Sequence, residues 1–442
     1  MTTTVERQPE IGRARTRKED ARLITGRTRY TDNITLPGML HLAMVRSPVA
    51  HAKITSIDTS AARSAPGVVQ VLTGADLADE QGSMPNAWPI TPDQKAPAHP
   101  AVAVDKVSFA GDIVAVVIAR SAAAARDAIE LVEVDYDDLP VVLDLAEAAR
   151  DEQIIHSELG TNRSATWVFD SAEAGTGENV KDAIADAEVL IERTFTQQRL
   201  IPAFMEPRST VVDPTGEQIT MWSATQIPHV LRVMLALTLG ISESKLRVIA
   251  PDVGGGFGGK LQVTPEEVIT LLAAKRTGKP CKYTETRSET MIGAHHGRDQ
   301  IQQLTLAAKA DGTVTGLDVR LLADMGAYLG LITSGVPILG AFMFNGIYKF
   351  SSYRFECTNV FTNKVWTDAY RGAGRPEATF AIERMMDELA TELGISKSAI
   401  YHHVKTKEEI LQDALDDALD GLEAVMEEAE QTHGPARDKI AA

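Results

Sequence analysis

Ten residues near the middle of the chain could build a ligand cradle. Pro251-Asp-Val-Gly-Gly-Gly-Phe-Gly-Gly-Lys260 carries five glycines and follows the apolar run Leu246-Arg-Val-Ile-Ala250. Glycine reaches φ > 0 without steric cost and lets other atoms come close to main-chain N–H groups. After a strand, such a turn suits the phosphate or polar edge of a large cofactor. A tight turn with no ligand accounts for an isolated glycine cluster equally well. Two nucleotide readings fail on their own terms. Residues 254–260 satisfy G-x-x-x-x-G-K, but Leu261 follows where a Mg²⁺ site needs a Ser or Thr hydroxyl. A dinucleotide fingerprint needs a βαβ unit with a distal acidic residue, and the sequence offers none.

The elements around this loop are legible as short strands and a few helices. Residues 39–45, 67–72, 112–119 and 132–136 read as strands, with an Ala-rich helical stretch at 121–131. The first 145 residues thus predict one compact α+β unit. Residues 144–177 show little periodicity and predict a surface linker. Strand character resumes at Val189. Residues 228–239 predict a helix, residues 265–275 an amphipathic helix, and residues 301–308 and 314–322 two alternating strands around Ala310-Asp-Gly312. From Ala381 onward the pattern is almost wholly helical.

Composition narrows the class. The 442 residues are 44% hydrophobic and 24% charged, with a net charge of −17. That charge argues against a general binder of nucleic acid or anionic membranes. Two distant cysteines, Cys281 and Cys357, give no metal-ligand spacing and fit a reducing compartment. The N-terminus lacks an apolar signal region, and no apolar run approaches the roughly 20 residues of a membrane span. A cytoplasmic enzyme or enzyme subunit is expected.

Eight ordered motifs then point to a family. They are Arg17-Lys-Glu-Asp20, Arg46-Ser-Pro-Val-Ala-His51, Glu130-Leu-Val-Glu-Val-Asp-Tyr136, Met205-Glu-Pro-Arg208, Gln226 with Pro228-His229, the glycine run 254–260, Thr286-Arg-Ser-Glu289 and Ala369-Tyr-Arg-Gly-Ala-Gly-Arg-Pro-Glu377. In these the chain resembles the large, molybdopterin-binding subunit of the molybdenum hydroxylases: xanthine dehydrogenase, aldehyde oxidase and the carbon monoxide dehydrogenase type. The resemblance implies an α+β fold: an N-terminal arm (1–19), an a/b hammerhead domain (20–143), a linker (144–187) and the first molybdopterin-binding domain (188–388). It assigns cofactor contacts to Gln226, Gly255, Gly256, Phe257, Gly258 and Arg371. Gln226 matches a glutamine that donates to an oxo ligand of molybdenum. Arg371 matches an arginine that orients substrate or stabilises its developing negative charge. No residue is assigned as a direct metal ligand.

The resemblance also implies partners. They are an iron–sulfur small subunit, an FAD medium subunit and a small-molecule substrate, with a homodimer of large subunits as a further candidate and no membrane. Molybdopterin is the implied cofactor, in a plain or cytosine dinucleotide form. Carbon monoxide enzymes place a copper-carrying cysteine after that arginine; here Gly372 stands there. Hydroxylation of an aldehyde or N-heterocycle, with water as oxygen source, is therefore expected. Family large subunits continue well beyond this point, into a second cofactor domain with a glutamate base. No residue here takes that role, so the chain is expected not to turn over alone.

The last stretch resembles something else. Leu389-Ala-Thr-Glu-Leu-Gly-Ile-Ser-Lys-Ser-Ala-Ile-Tyr-His-His-Val-Lys-Thr-Lys-Glu-Glu-Ile-Leu411 is similar to the helix-turn-helix of TetR-type regulators, giving residues 389–442 an all-α reading. Lys397, Ser398, Tyr401, His402 and Lys407 are its DNA-contacting candidates. The two resemblances overlap at residues 386–395, which suggests a gene fusion there. A DNA-binding regulator is the alternative function, opposed by the acidic tail after Lys407.

Overall fold

Described here is a computed structural model, covering residues 12–396. A seven-stranded mixed sheet runs in the order Leu246–Ile249, Ile219–Ser223, Ser209–Asp213, Cys281–Thr284, Leu40–Arg46, Ile113–Ala119, Val68–Thr73. Ile113–Ala119 is an unbroken apolar run buried at every position, as a central strand covered on both faces must be. Leu40 pairs with Cys281 in parallel, so strands from residues 20–143 and from residues 188–388 share this sheet. The first 145 residues thus share a sheet with later strands.

A second sheet has five strands, ordered Arg163–Asp170, Ser352–Phe361, Val314–Gly326, Gly297–Ala308, Val189–Leu200. Its first strand lies inside the stretch expected to be a linker. Arg163–Asp170 pairs antiparallel with Ser352–Phe361 and so belongs to the sheet. Trp167 and Phe169 pack on the core and Val168 between them is exposed, so three successive apolar residues hide the alternation in the sequence. The alternation expected on 301–308 and 314–322 is the hairpin Gly297–Ala308 with Val314–Gly326. A small three-stranded sheet, Lys106–Val107, Ala52–Asp58 and Glu133–Asp138, completes the set among the described residues.

Two helices matter for the site. Arg375–Glu392 buries Ala381, Ile382, Met385, Met386 and Leu389 in the core with Leu306, Leu317 and Phe355 of the five-stranded sheet. Pro265–Thr277 starts on a Thr264/Glu267 capping box with Pro265 in its first turn and ends at Gly278, where φ is +63°. Its pattern predicts an exposed polar face, yet every residue from 265 to 274 is buried.

The reason is charge pairing. Glu266 lies 2.7 Å from Arg46 Nη2 and 3.0 Å from Arg208 Nη2, and Arg208 also holds Glu285 at 2.8 Å. Burial alone would raise the Glu266 carboxyl; the two guanidiniums outweigh it and hold it at about 2. Removing one partner strands the others as uncompensated buried charges. Arg208→Met is expected to lower unfolding free energy by about 3–5 kcal/mol in urea titrations.

Glu267 behaves oppositely. Burial pushes its carboxyl up to about 7, against hydrogen bonds from Ser223 Oγ (2.6 Å) and the Thr264 N–H (2.9 Å). A raised folded-state pKa gives stability that is full below the unfolded value of 4.5 and is lost as pH rises through about 7. The melting temperature of the native chain relative to Glu267→Gln should therefore fall between pH 5 and 7.

Candidate functional site

The glycine loop, residues 251–260, is clamped from three sides. On one side lies the N-terminal segment. The Asp252 N–H donates to Arg29 O (3.1 Å), and its carboxylate accepts from the Arg29 N–H (3.1 Å) and Arg22 Nη1 (2.6 Å). On the second side is Glu206. Its Oε2 accepts from the Gly254 N–H and from Lys260 Nζ, each at 2.7 Å, while the Glu206 N–H donates back to Gly254 O at 3.1 Å. Lys260 is buried 4.9 Å over the Phe204 ring. The lysine of the G-x-x-x-x-G-K pattern thus faces a carboxylate in the interior, where it cannot meet a nucleotide phosphate.

The third clamp is Gln226. It sits between the strand Ile219–Ser223 and the helix Pro228–Thr238, which opens on a proline as its sequence predicts. The Gln226 N–H donates to Lys260 O at 2.9 Å. Its Oε1 accepts from the N–H groups of Gly258 (3.0 Å) and Lys260 (3.3 Å). Two donors on one amide atom identify it as the oxygen, which leaves the NH₂ of this exposed side chain facing outward. A Cβ on Gly256 would lie 2.2 Å from that oxygen, so this glycine answers to packing against Gln226. Gly255 and Gly258 take φ of +94° and +93°, and Phe257 takes +54°. An aromatic residue at positive φ is an outlier of the kind that collects at functional sites.

A second loop, residues 369–374, lies against the first. The Arg371 N–H donates to Phe257 O at 2.9 Å, and the Arg371 guanidinium stands 5.6 Å from the centre of the Phe257 ring. A Cβ on Gly258 would be 2.1 Å from Ala369 O. Arg298 braces this loop from behind. Its Nη2 donates to Arg371 O (3.2 Å), its Nη1 pairs with Glu377 (2.9 Å), and its guanidinium covers Tyr370 at 4.9 Å. Arg298 and Asp299 are themselves at φ of +66° and +63°. Asp299 is held there by Arg199 at 2.6 Å and Lys364 at 3.2 Å.

Gln226, Gly255, Gly256, Phe257, Gly258 and Arg371 are therefore neighbours on one wall. Three supports are not legible from the residues alone: Glu206, the buried pairing of Lys260, and Arg298. Glu206 and Glu377 stood inside the quoted motifs, but their partners lie far along the chain. Each is held in an ion pair through one oxygen, Glu206 Oε2 with Lys260 and Glu377 Oε1 with Arg298, while the other oxygen of each is buried without a hydrogen-bond partner. Of the helix-turn-helix candidates, Lys397, Ser398, Tyr401, His402 and Lys407 lie outside the described residues. The start of the stretch likened to that motif, residues 389–392, is the end of the continuous helix Arg375–Glu392.

The wall offers donors. The N–H groups of Gly255, Gly256, Phe257 and Gly372 have no partner among the described residues, and the Gln226 NH₂ and Arg371 guanidinium stand beside them. Consecutive unpaired N–H groups favour an anion. An acceptor-rich, negatively charged group such as a metal–pterin pyrophosphate fits this donor set.

Comparison with known proteins agrees. The model of the molybdopterin cofactor-binding domain matches residues 155–403. The chain belongs to the molybdenum hydroxylase large-subunit family. The aldehyde oxidase and xanthine dehydrogenase a/b hammerhead domain matches residues 25–140. Among relatives, the nicotine 6-hydroxylase large subunit of Paenarthrobacter nicotinovorans is 37% identical over 87% of this chain and 47% of its own length. The carbon monoxide dehydrogenase large chain of Hydrogenophaga pseudoflava is 35% identical over 87% of this chain and 49% of its own. The crystal structure of quinoline 2-oxidoreductase from Pseudomonas putida 86 superposes with a TM-score of 0.84 at 35% identity, over 89% of this chain and 50% of that one. The chain spans about half the length of these molybdenum hydroxylase relatives. No helix among the described residues is long and apolar enough to cross a membrane.

Gly256→Ala tests the wall directly. The added methyl must displace Gln226 Oε1, so stability should fall by about 1–3 kcal/mol by thermal denaturation. Gly240→Ala has open space at its built Cβ but carries φ of +61°; it serves as the control for backbone strain alone.

Proposed function

We propose that this chain is the molybdopterin-binding large subunit of an oxidoreductase that hydroxylates an N-heterocycle or aldehyde with water as oxygen source. Residues 20–143 serve as its hammerhead part, and residues 188–388 carry the cofactor wall. The observation that carries this reading is the meeting of the Gln226 NH₂, the unpaired loop N–H groups and Arg371 on one surface. When bound, the molybdenum–pterin group supplies a two-electron redox centre. The chain's own residues bind and orient it. Gly255, Gly256 and Phe257 direct N–H groups at its anionic edge, and Gln226 donates from Nε2 without adding charge. Arg371, kept in place by Phe257 O and Arg298, presents a fixed cation to negative charge that develops on a substrate.

The substrate class follows from the company and from one glycine. Relatives named for nicotine hydroxylation and quinoline oxidation act on N-heterocycles, and a structural neighbour is an aldehyde oxidoreductase from Desulfovibrio gigas. Carbon monoxide dehydrogenases are relatives too. Gly372, at the position of their copper-carrying cysteine, has φ of +102°, and a Cβ there would lie 2.4 Å from Pro376 Cγ. A cysteine cannot be accommodated without moving the start of the helix Arg375–Glu392, which argues for hydroxylation. Iron–sulfur and FAD subunits are the proposed electron acceptors, since relatives are named as subunits of complexes. A TetR-type segment joined at residues 386–395 is part of this proposal. Sequencing the locus across codons 380–400 and finding two separate full-length genes there ends that part.

Binding of purified molybdopterin, followed by pterin fluorescence, should be saturable with one site per chain. Arg371→Ala and Gln226→Ala should each weaken it by about tenfold or more, as expected for loss of a charge-assisted or amide donor. No binding by the unsubstituted chain would sink the proposal. The chain alone should show no oxidation of aldehydes or N-heterocycles, because Asp252, Glu206 and Glu377 are tied into ion pairs with Arg22, Lys260 and Arg298; turnover by the chain alone would overturn that expectation.

A further inference from the structure

On the five-stranded sheet lies an open groove of about 1110 Å³. Phe342 and Phe350 line it, and Phe342 is 65% exposed. One rim carries Glu178, Asp182 and Asp186, from the helix Val180–Ala185 and its flanks. Lys309 and Lys349 also line the groove, Lys309 next to Ala308 and Ala310, which bond Glu188, and Lys349 two residues before Ser351, which bonds Glu178. An exposed aromatic floor rimmed by charged residues of both signs marks an interaction surface more often than a surface left to water.

The described chain ends beside this groove. A Cβ built on Gly312 would lie 3.5 Å from Leu393 Cδ1 and 3.9 Å from Ile395 Cδ1. Gly312 belongs to the turn 309–313, whose Lys309 and Thr313 line the groove. Residues 397–442 follow directly. Their first part, 397–407, holds Lys397, Lys405 and Lys407 and no acid, which complements the acidic rim. Their second part repeats apolar residues at helical spacing, Ala414, Leu415, Ala418, Leu419, Leu422 and Met426, between acidic residues. An apolar stripe of that width needs a surface to cover it, and the aromatic floor is within reach of the exit point.

We propose that residues 397–442 dock in this groove of their own chain, the lysine-bearing part against Glu178, Asp182 and Asp186 and the apolar stripe over Phe342 and Phe350. Docking closes the exposed floor. It also occupies the lysines that the helix-turn-helix reading assigns to DNA, so the docked chain does not bind duplex DNA.

The test uses the full chain, mixed in equal parts from unlabelled and ¹⁵N-labelled preparations. It is treated with a zero-length carbodiimide and mapped by mass spectrometry. The Lys282–Asp32 pair, 2.9 Å apart, reports that the reagent has acted. Expected are cross-links from Lys397, Lys405 or Lys407 to Glu178, Asp182 or Asp186, in isotopically unmixed pairs only. Phe342→Asp changes a side chain that is mostly in solvent, so the core should persist. It should abolish those links and speed tryptic cleavage after Lys405 by at least about tenfold, the scale of losing one buried aromatic contact. Links from these lysines only to carboxylates elsewhere would overturn the proposal, as would an unchanged cleavage rate in Phe342→Asp. Isotopically mixed pairs would overturn it in favour of exchange between two copies.

Discussion

The amide oxygen of Gln226 receives two backbone N–H groups from the glycine loop, and the rest of the site is arranged to make that contact possible. The loop must bring Gly258 and Lys260 to one atom while Phe257 O faces Arg371. That leaves no room for side chains at Gly256 or Gly258. Each clamp then answers a separate need. Asp252 fixes the entry, Glu206 the entry and the exit, and Arg298 the opposing loop. With the oxygen fixed, the outward NH₂ has a defined direction. Orientation of that kind gives an amide value in recognition, since the same group free to rotate would find water equally well.

Beneath the wall, charge is buried in quantity. Arg46, Arg208, Glu266 and Glu285 form one cluster; Arg199, Lys364, Asp299 and Asp324 form another. Burying such groups does not make a protein more stable than apolar packing would. Their geometric effect is clearer. The second cluster holds Asp299 and, beside it, Arg298 in left-handed backbone conformations, and Arg298 positions the carbonyl of Arg371. Ion pairs with fixed directions can hold such strain; non-directional apolar contacts cannot.

What could be read from the residues alone follows from this division. The glycine loop, Gln226 and the Arg371 segment were visible because backbone demands select glycine, and ordered motifs mark the rest. The helix Pro265–Thr277 was visible in its ends, through Thr264, Pro265 and Gly278, but its burial was misread. Glu266 and Glu267 look like a wet face until Arg46 and Arg208, distant in sequence, come into view. The strand Arg163–Asp170 was missed for the converse reason. It is an edge strand whose Trp167 and Phe169 pack on the core while Val168 between them is exposed, so the inward set does not stand out from its apolar neighbour. Glu206 stands within a motif, but nothing local shows that its carboxylate closes a loop some fifty residues away.

The parallel ladder between Leu40–Arg46 and Cys281–Thr284 has a consequence for biosynthesis. A strand made early has one antiparallel neighbour in Ile113–Ala119, but its other edge stays open until the chain has grown by some 240 residues. During that interval the nascent polypeptide exposes an apolar edge to any passing strand. Translation speed and chaperone supply, more than final stability, would then govern how much of this protein a cell recovers in usable form.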